Sequence, residues 1–215
     1  MVLIQFHHIT HQEQAYNNKK EGKYMTKFHY AGKYNGDPSS IASHEHEPGH
    51  VPFKEIKDMN KLGIFINLIA LLIGFVLIGI YFYLCRKNLD IVGIILAIIA
   101  AIPHEFLHAL CFKGDVYMYE ALSRGMLFVS GPGTFSKAEF VFMCLLPNIV
   151  FGFIPFIIFL FNPSNTLLGT FGLVSIASGA GDYYNVFNAL TQVPNGARIY
   201  NNGMSTYWYM PKENA

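Results

Sequence analysis

The chain has 215 residues, of which 52% are hydrophobic and 13% charged, with a formal net charge of +1. A soluble domain carries about 25% charged residues, so this chain is short of water-facing groups. The near-neutral balance, with no basic stripe, excludes a nucleic-acid-binding reading. Cys85, Cys111 and Cys144 each lie in or beside an apolar run, with no CxxC, which excludes a disulfide framework.

Residues 1–60 are polar and form one N-terminal segment. Met1 to Phe6 is too short for the apolar core of a signal peptide. Residues 1–24 are expected to be dispensable, because a more regular stretch opens at Met25. The Gly, Pro, Asp, Ser and His mixture from Gly36 to Pro52 reads as loop. Within it, His44 to His50 holds three histidines and two glutamates, but Pro48 and Gly49 break helical spacing, so it reads as a solvated linker. His7, His8 and His11 read as tail residues.

Four apolar runs follow: Leu62–Leu84, Ile91–Phe112, Phe140–Phe161 and Thr166 to about Leu190. Each reaches the roughly 20 residues that a helix needs to cross a bilayer core of about 30 Å. The Lys and Arg residues number eight before Leu62, two between runs one and two, three between runs two and three, none between runs three and four, and two after. The positive-inside rule then places the N-terminus, the 113–139 segment and the C-terminus in the cytoplasm of a multi-pass protein in the cell membrane. Arg86–Asp90 and Asn162–Asn165 are tight external turns. Val116–Tyr119 and Met126–Val129 are rich in strand formers around Ser123-Arg124-Gly125, which predicts a small cytoplasmic hairpin. Ser136-Lys137-Ala138-Glu139 has the pattern of a capping box opening the third helix. Pro147 and Pro155 should kink that helix. Tyr207-Trp208-Tyr209, in a C-terminal tail from residue 191, suits an interfacial anchor. The expected fold is therefore mainly α, a four-helix transmembrane bundle over residues 61–190 with one small β-hairpin between helices 2 and 3.

The second run contains Pro103-His104-Glu105-Phe106-Leu107-His108, an H-E-x-x-H pattern. Residues i and i+4 share a helix face, so His104 and His108 can reach one metal ion. Glu105 beside the first histidine can act as general base on a water that the metal activates. A glutamate deep in an apolar helix is costly, and such residues are usually functional. A zinc site needs a third ligand, and Asp182 is the acidic residue of the fourth run. At 1.5 Å per residue, His104 lies roughly 13 Å from the cytoplasmic end of its helix, and Asp182 lies roughly 12 Å from the end of its own. One zinc per chain, on His104, His108 and Asp182, follows as the expectation. Asn185 and Asn148 are candidates to orient substrate or ligand, or simply to bridge helices.

On these residues the chain resembles the putative zincin peptidase family of small bacterial membrane proteins. The resemblance runs from about Met25 to Pro211, through KFHYAGKYNGDP, HEFLHAL, Leu145-Leu146-Pro147 to Pro155, GDYYN and TYWYMP. More distantly the layout is similar to site-2-type intramembrane proteases, which carry H-E-x-x-H on one membrane helix and an aspartate on a later one. The resemblance implies a zinc metallopeptidase with His104, His108 and Asp182 as ligands and Glu105 as base. In the site-2 enzymes a glycine follows the aspartate, whereas here Gly181 precedes Asp182. The expected partners are the bilayer and membrane or juxtamembrane protein substrates. Two other readings stand beside this one: a non-catalytic adaptor that keeps the fold, and a di-iron membrane oxidase, which would need further histidine clusters near the membrane.

Overall fold

The computed structural model describes residues 27–34, 37, 40–41, 45–122 and 126–212. The first 26 residues, His44 and residues 123–125, with the expectations placed on them, lie outside the described residues. The elements in chain order are β1 (Phe28–Lys33), β2 (Val51–Pro52), α1 (Met59–Cys85), α2 (Ile91–Ile99), α3 (Ala101–Leu110), β3 (Val116–Ala121), β4 (Met126–Ser130), β5 (Phe135–Ser136), α4 (Lys137–Pro147), a π-helical turn (Asn148–Phe153), α5 (Ile154–Phe161), α6 (Thr166–Ser178), α7 (Ala180–Gln192), β6 (Arg198–Asn202) and β7 (Ser205–Tyr209).

Among the described residues, three helices are long and apolar enough to cross a membrane: α1, α2 continued by α3, and α4 continued through the π turn to α5. Local chemistry sets their ends. Asp58 accepts from the Asn60 and Lys61 amides to open α1, and Asp90 does the same for Val92 and Gly93 at α2. Ser136 and Glu139 form the expected capping box at α4. The α2–α3 junction at Ala100 sits where Pro103 denies the Ile99 carbonyl its helical donor. The π turn precedes Pro155, and Ile154 donates back to Ile149, so the prolines appear as a local widening of the helix.

The fourth apolar run departs from expectation. It is two helices of 13 residues each, α6 and α7, meeting at Gly179. Small residues let α6 approach α4–α5 closely. A Cβ on Gly172 would lie 2.6 Å from the Phe156 amide nitrogen, and one on Gly152 would lie 2.8 Å from Ile176. Beside this seam Tyr81, Phe156, Phe159, Leu173 and Ile176 form one buried cluster, in which Tyr81 stacks on Phe159 at 5.0 Å. The outer face of α1 is apolar, and Leu71, Leu72 and Phe75 are 69%, 66% and 78% exposed.

The strand content also exceeds the single expected hairpin. That hairpin is present, β3 against β4 in antiparallel register from Tyr117↔Ser130 to Ala121↔Met126. It is joined by β1 from the N-terminal segment, parallel to β3, giving the order β1-β3-β4. A second sheet has the order β2-β7-β6-β5. Its central hairpin turns at Gly203, whose φ of 61° suits a tight two-residue loop. Val51 and Pro52, read from sequence as loop, pair with Trp208 and Tyr207. The Tyr207-Trp208-Tyr209 run is thus strand β7, with Trp208 packed on a core of Phe53, Phe112, Phe140, Met143 and Ile199. The reason is long-range pairing: these strands are too short to be stable alone and form because three distant chain segments meet.

Candidate metal centre

The H-E-x-x-H pattern lies on α3. One helical turn separates His104 from His108, and their ring centroids are 4.9 Å apart. The ligand atoms of His104, Glu105 and His108 lie within 4.8 Å of one another, and among the described residues this group could hold a metal ion. Glu105 and His108 are buried, with 8% and 6% exposure.

Asp182, in the first turn of α7, points into the same place. Its Oδ2 is 3.1 Å from His104 Nε2, and its Oδ1 is 3.2 Å from His108 Nε2. The two Nε2 atoms are 3.2 Å apart. The donor chemistry fits a cation. His108 Nδ1 lies 2.9 Å from the Met143 carbonyl, which can only accept, so this nitrogen carries the proton. That leaves the His108 Nε2 lone pair facing a second imidazole and a carboxylate. Zinc bonds of about 2.0–2.1 Å in a tetrahedron put ligand atoms about 3.3 Å apart, close to the three separations observed. Zinc therefore fits the residues present.

Both asparagines named from sequence are near. Asn148, 1% exposed, donates from Nδ2 to Asp182 Oδ2 at 2.7 Å and to the Cys144 carbonyl at 3.0 Å. Its Oδ1 accepts from Tyr183 Oη at 3.3 Å. Asn185 lines the cavity above the group. Sequence reasoning did not single out Met143, Gly179 or Glu55. Met143 acts through a main-chain carbonyl, which leaves no motif.

The group lies at one wall of a cavity of about 660 Å³. The cavity runs between α1, α3 and α7 and is also lined by β4, by Glu55 and by Thr206 at the start of β7. Among the described residues its lining includes no Lys or Arg. Glu55 accepts from the Thr206 amide at 2.9 Å, and burial pushes its carboxyl up to about 7. Among the described residues, the N-terminal histidines His29, His46 and His50 do not join the metal group. His46 and His50 stack on each other at 4.1 Å, and His46 Nδ1 lies 3.0 Å from Tyr200 Oη on β6. A di-iron site drawing on His46 and His50 is not formed.

Residues 97–198, which span the group and both sheet connections to it, match the model of the family described as putative zincin peptidase. This is the family that the sequence resembles. No curated protein and no solved structure matches the chain.

Proposed function

We propose that this chain is a membrane-embedded zinc metallopeptidase that hydrolyses peptide bonds of membrane or juxtamembrane substrates. The observation that carries the reading is the triangle of His104 Nε2, His108 Nε2 and the Asp182 carboxylate, with separations of 3.1 to 3.2 Å, beside Glu105 in an open cavity. His104, His108 and Asp182 would hold one zinc ion, which would supply Lewis acidity and make a nucleophilic water available near neutral pH. Glu105 takes the proton from the attacking water as its oxygen adds to the scissile carbonyl carbon. It gives that proton to the leaving nitrogen as the C–N bond breaks, and so returns to its starting state. The Met143 carbonyl keeps His108 in the tautomer whose Nε2 is free to ligate. Asn185 orients the substrate at the cavity wall.

In this reading α6 and α7 together make a fourth span. Strand pairing supports the common side expected for three segments: the N-terminal segment pairs with β3 and β7, and β5 pairs with β6. The excess of Lys and Arg in these segments makes that side cytoplasmic. The substrate enters as an extended chain along β4, the outer strand of its sheet, whose residues Met126 to Ser130 line the cavity. Replacing residues 116–129 with a flexible linker should abolish cleavage and leave zinc bound; equal loss of zinc would count against this route.

The test of the whole reading is purification in detergent, with metal analysis of wild type and Asp182→Ala. Membrane peptides are then compared in cells carrying wild type or Glu105→Gln. One zinc per wild-type chain, its loss in Asp182→Ala, and peptide products seen only with intact Glu105 are expected. Wild type without zinc, or identical peptides in both strains, would overturn the proposal.

A further inference from the structure

Pro147 has no N–H. In a continuous helix the residue at 147 would donate to the carbonyl four positions earlier, that of Met143. The Met143 carbonyl is thereby left for another donor, and His108 Nδ1 takes it at 2.9 Å. One residue on, Asn148 opens the π turn and sends its backbone N–H to Leu145. Its side-chain amide replaces the backbone as a donor to Cys144 and extends to Asp182 at 2.7 Å. Both Pro147 and Asn148 are fully buried.

The Asn148 amide occupies room that only a glycine provides. A Cβ on Gly179 would overlap Asn148 Oδ1 and lie 2.7 Å from its Cγ. The backbone at Gly179 has φ −73° and ψ 8°, a conformation open to any residue. Space, not conformational freedom, therefore demands glycine there. Gly181 differs, because a Cβ on it would have nothing within 4 Å.

We propose that Pro147 and Asn148, given room by Gly179, form one positioning element that orients two of the three zinc ligands. Pro147 frees the carbonyl that holds His108, and Asn148 holds the Asp182 carboxylate. Neither residue touches metal or substrate. The inference rests on the zinc reading above and adds a non-additive relation between residues on different helices. A methyl group at position 179 displaces the Asn148 amide, so Gly179→Ala reproduces the loss of that amide. Once Asn148 is truncated the methyl has room, so the second substitution adds nothing.

The test uses the full-length chain in detergent. Zinc affinity is measured by chelator competition, ligand geometry by the absorption spectrum of the Co²⁺ form, and apo stability by thermal unfolding. Asn148→Ala and Gly179→Ala should each weaken zinc by about 10- to 100-fold. The double variant should match Asn148→Ala within about twofold. Pro147→Ala returns a competing donor to Met143. It should weaken zinc by about threefold or more and shift the Co²⁺ spectrum, while the apo protein unfolds at the same or a higher temperature. A merely structural role gives the opposite pattern, with lower apo unfolding temperatures and unchanged zinc affinity. If Asn148→Ala does not fold, Tyr183→Phe removes the hydroxyl shared between Asn148 Oδ1 at 3.3 Å and the Ile176 carbonyl at 3.1 Å, and should still weaken zinc by about threefold. Wild-type affinity in the variants, or an additive loss in the double variant, overturns this inference alone. Absence of zinc from wild type overturns the metal reading and the inference together.

Discussion

In the helical part of the molecule His104, Glu105, His108 and Asp182 come from two separate helices and converge on one point. In the sheets and their connections the ionic contacts among the described residues run along the surface: Lys113 to Glu139 at 3.9 Å and Arg198 to Glu139 at 3.4 Å. The same residue types mean different things in the two regions. An exposed pair gains about 0–1 kcal/mol, because water already solvates both partners. A carboxylate among apolar helices has no such solvent and stays only where something fixed compensates it. The contrast teaches that position relative to solvent, more than residue type, separates the charges of the candidate site from the surface ones.

The comparison can be broken or sharpened by substitution on each side. The largest effect is expected at Glu105→Gln, which should lower peptide cleavage by about 10²- to 10⁴-fold and retain zinc, checked by product formation and metal content together. Asp182→Ala should follow, with zinc below one tenth of wild-type occupancy at micromolar zinc, checked by metal analysis after dialysis.

Glu55 stands at the border of the two regions, where β7 meets the cavity, and gives an intermediate case. Burial raises its carboxyl to about 7 in the folded chain, above the unfolded value near 4.5. The folded state therefore holds this proton more tightly, and wild-type stability falls as pH rises from about 4.5 through about 7. Glu55→Gln keeps an acceptor for the Thr206 amide and removes the titration. It should be more stable than wild type above pH 7, by about 3 kcal/mol, and match it near pH 4. Thermal unfolding in detergent across this range decides, and parallel curves at every pH would sink the assignment.

Ser136→Ala should cost about 1 kcal/mol through loss of the capping box at α4. The smallest effect is expected at Lys113→Ala, below about 0.5 kcal/mol and within the error of most unfolding curves. If Lys113→Ala proved as damaging as Asp182→Ala, the distinction between solvated and buried charge would fail for this molecule.

Much of the site was legible in the sequence because its central part is local. His104, Glu105 and His108 fall within five consecutive residues, and one helical turn brings the two imidazoles together. Asp182 was reachable by matching depth along two apolar runs. Asn148 was named but left ambiguous, since an asparagine beside a proline in an apolar helix can bridge helices or serve a site. Its contact with Asp182 depends on the approach of α4 to the α6–α7 junction. The break of the fourth run at Gly179 was not legible, because the apolar pattern continues across it. The strands of the second sheet were missed for the same reason that makes them depend on one another. Val51–Pro52, Phe135–Ser136 and Arg198–Asn202 are short pieces whose partners lie far away in sequence.

The sequence by itself determined the apolar runs, the His-Glu-x-x-His motif, the capping box at Ser136 and the hairpin of β3 and β4. Each rests on interactions between residues a few positions apart, governed by helix periodicity, turn chemistry and hydrophobic length. The tertiary structure alone decided that Asp182 meets both histidines, that Met143 and Asn148 hold them in place, and that three chain segments share two sheets. Those outcomes depend on how closely backbones pack and on which carbonyls and amides are left without a local partner. A glycine's missing side chain and a proline's missing N–H become meaningful only against a neighbour from elsewhere in the chain.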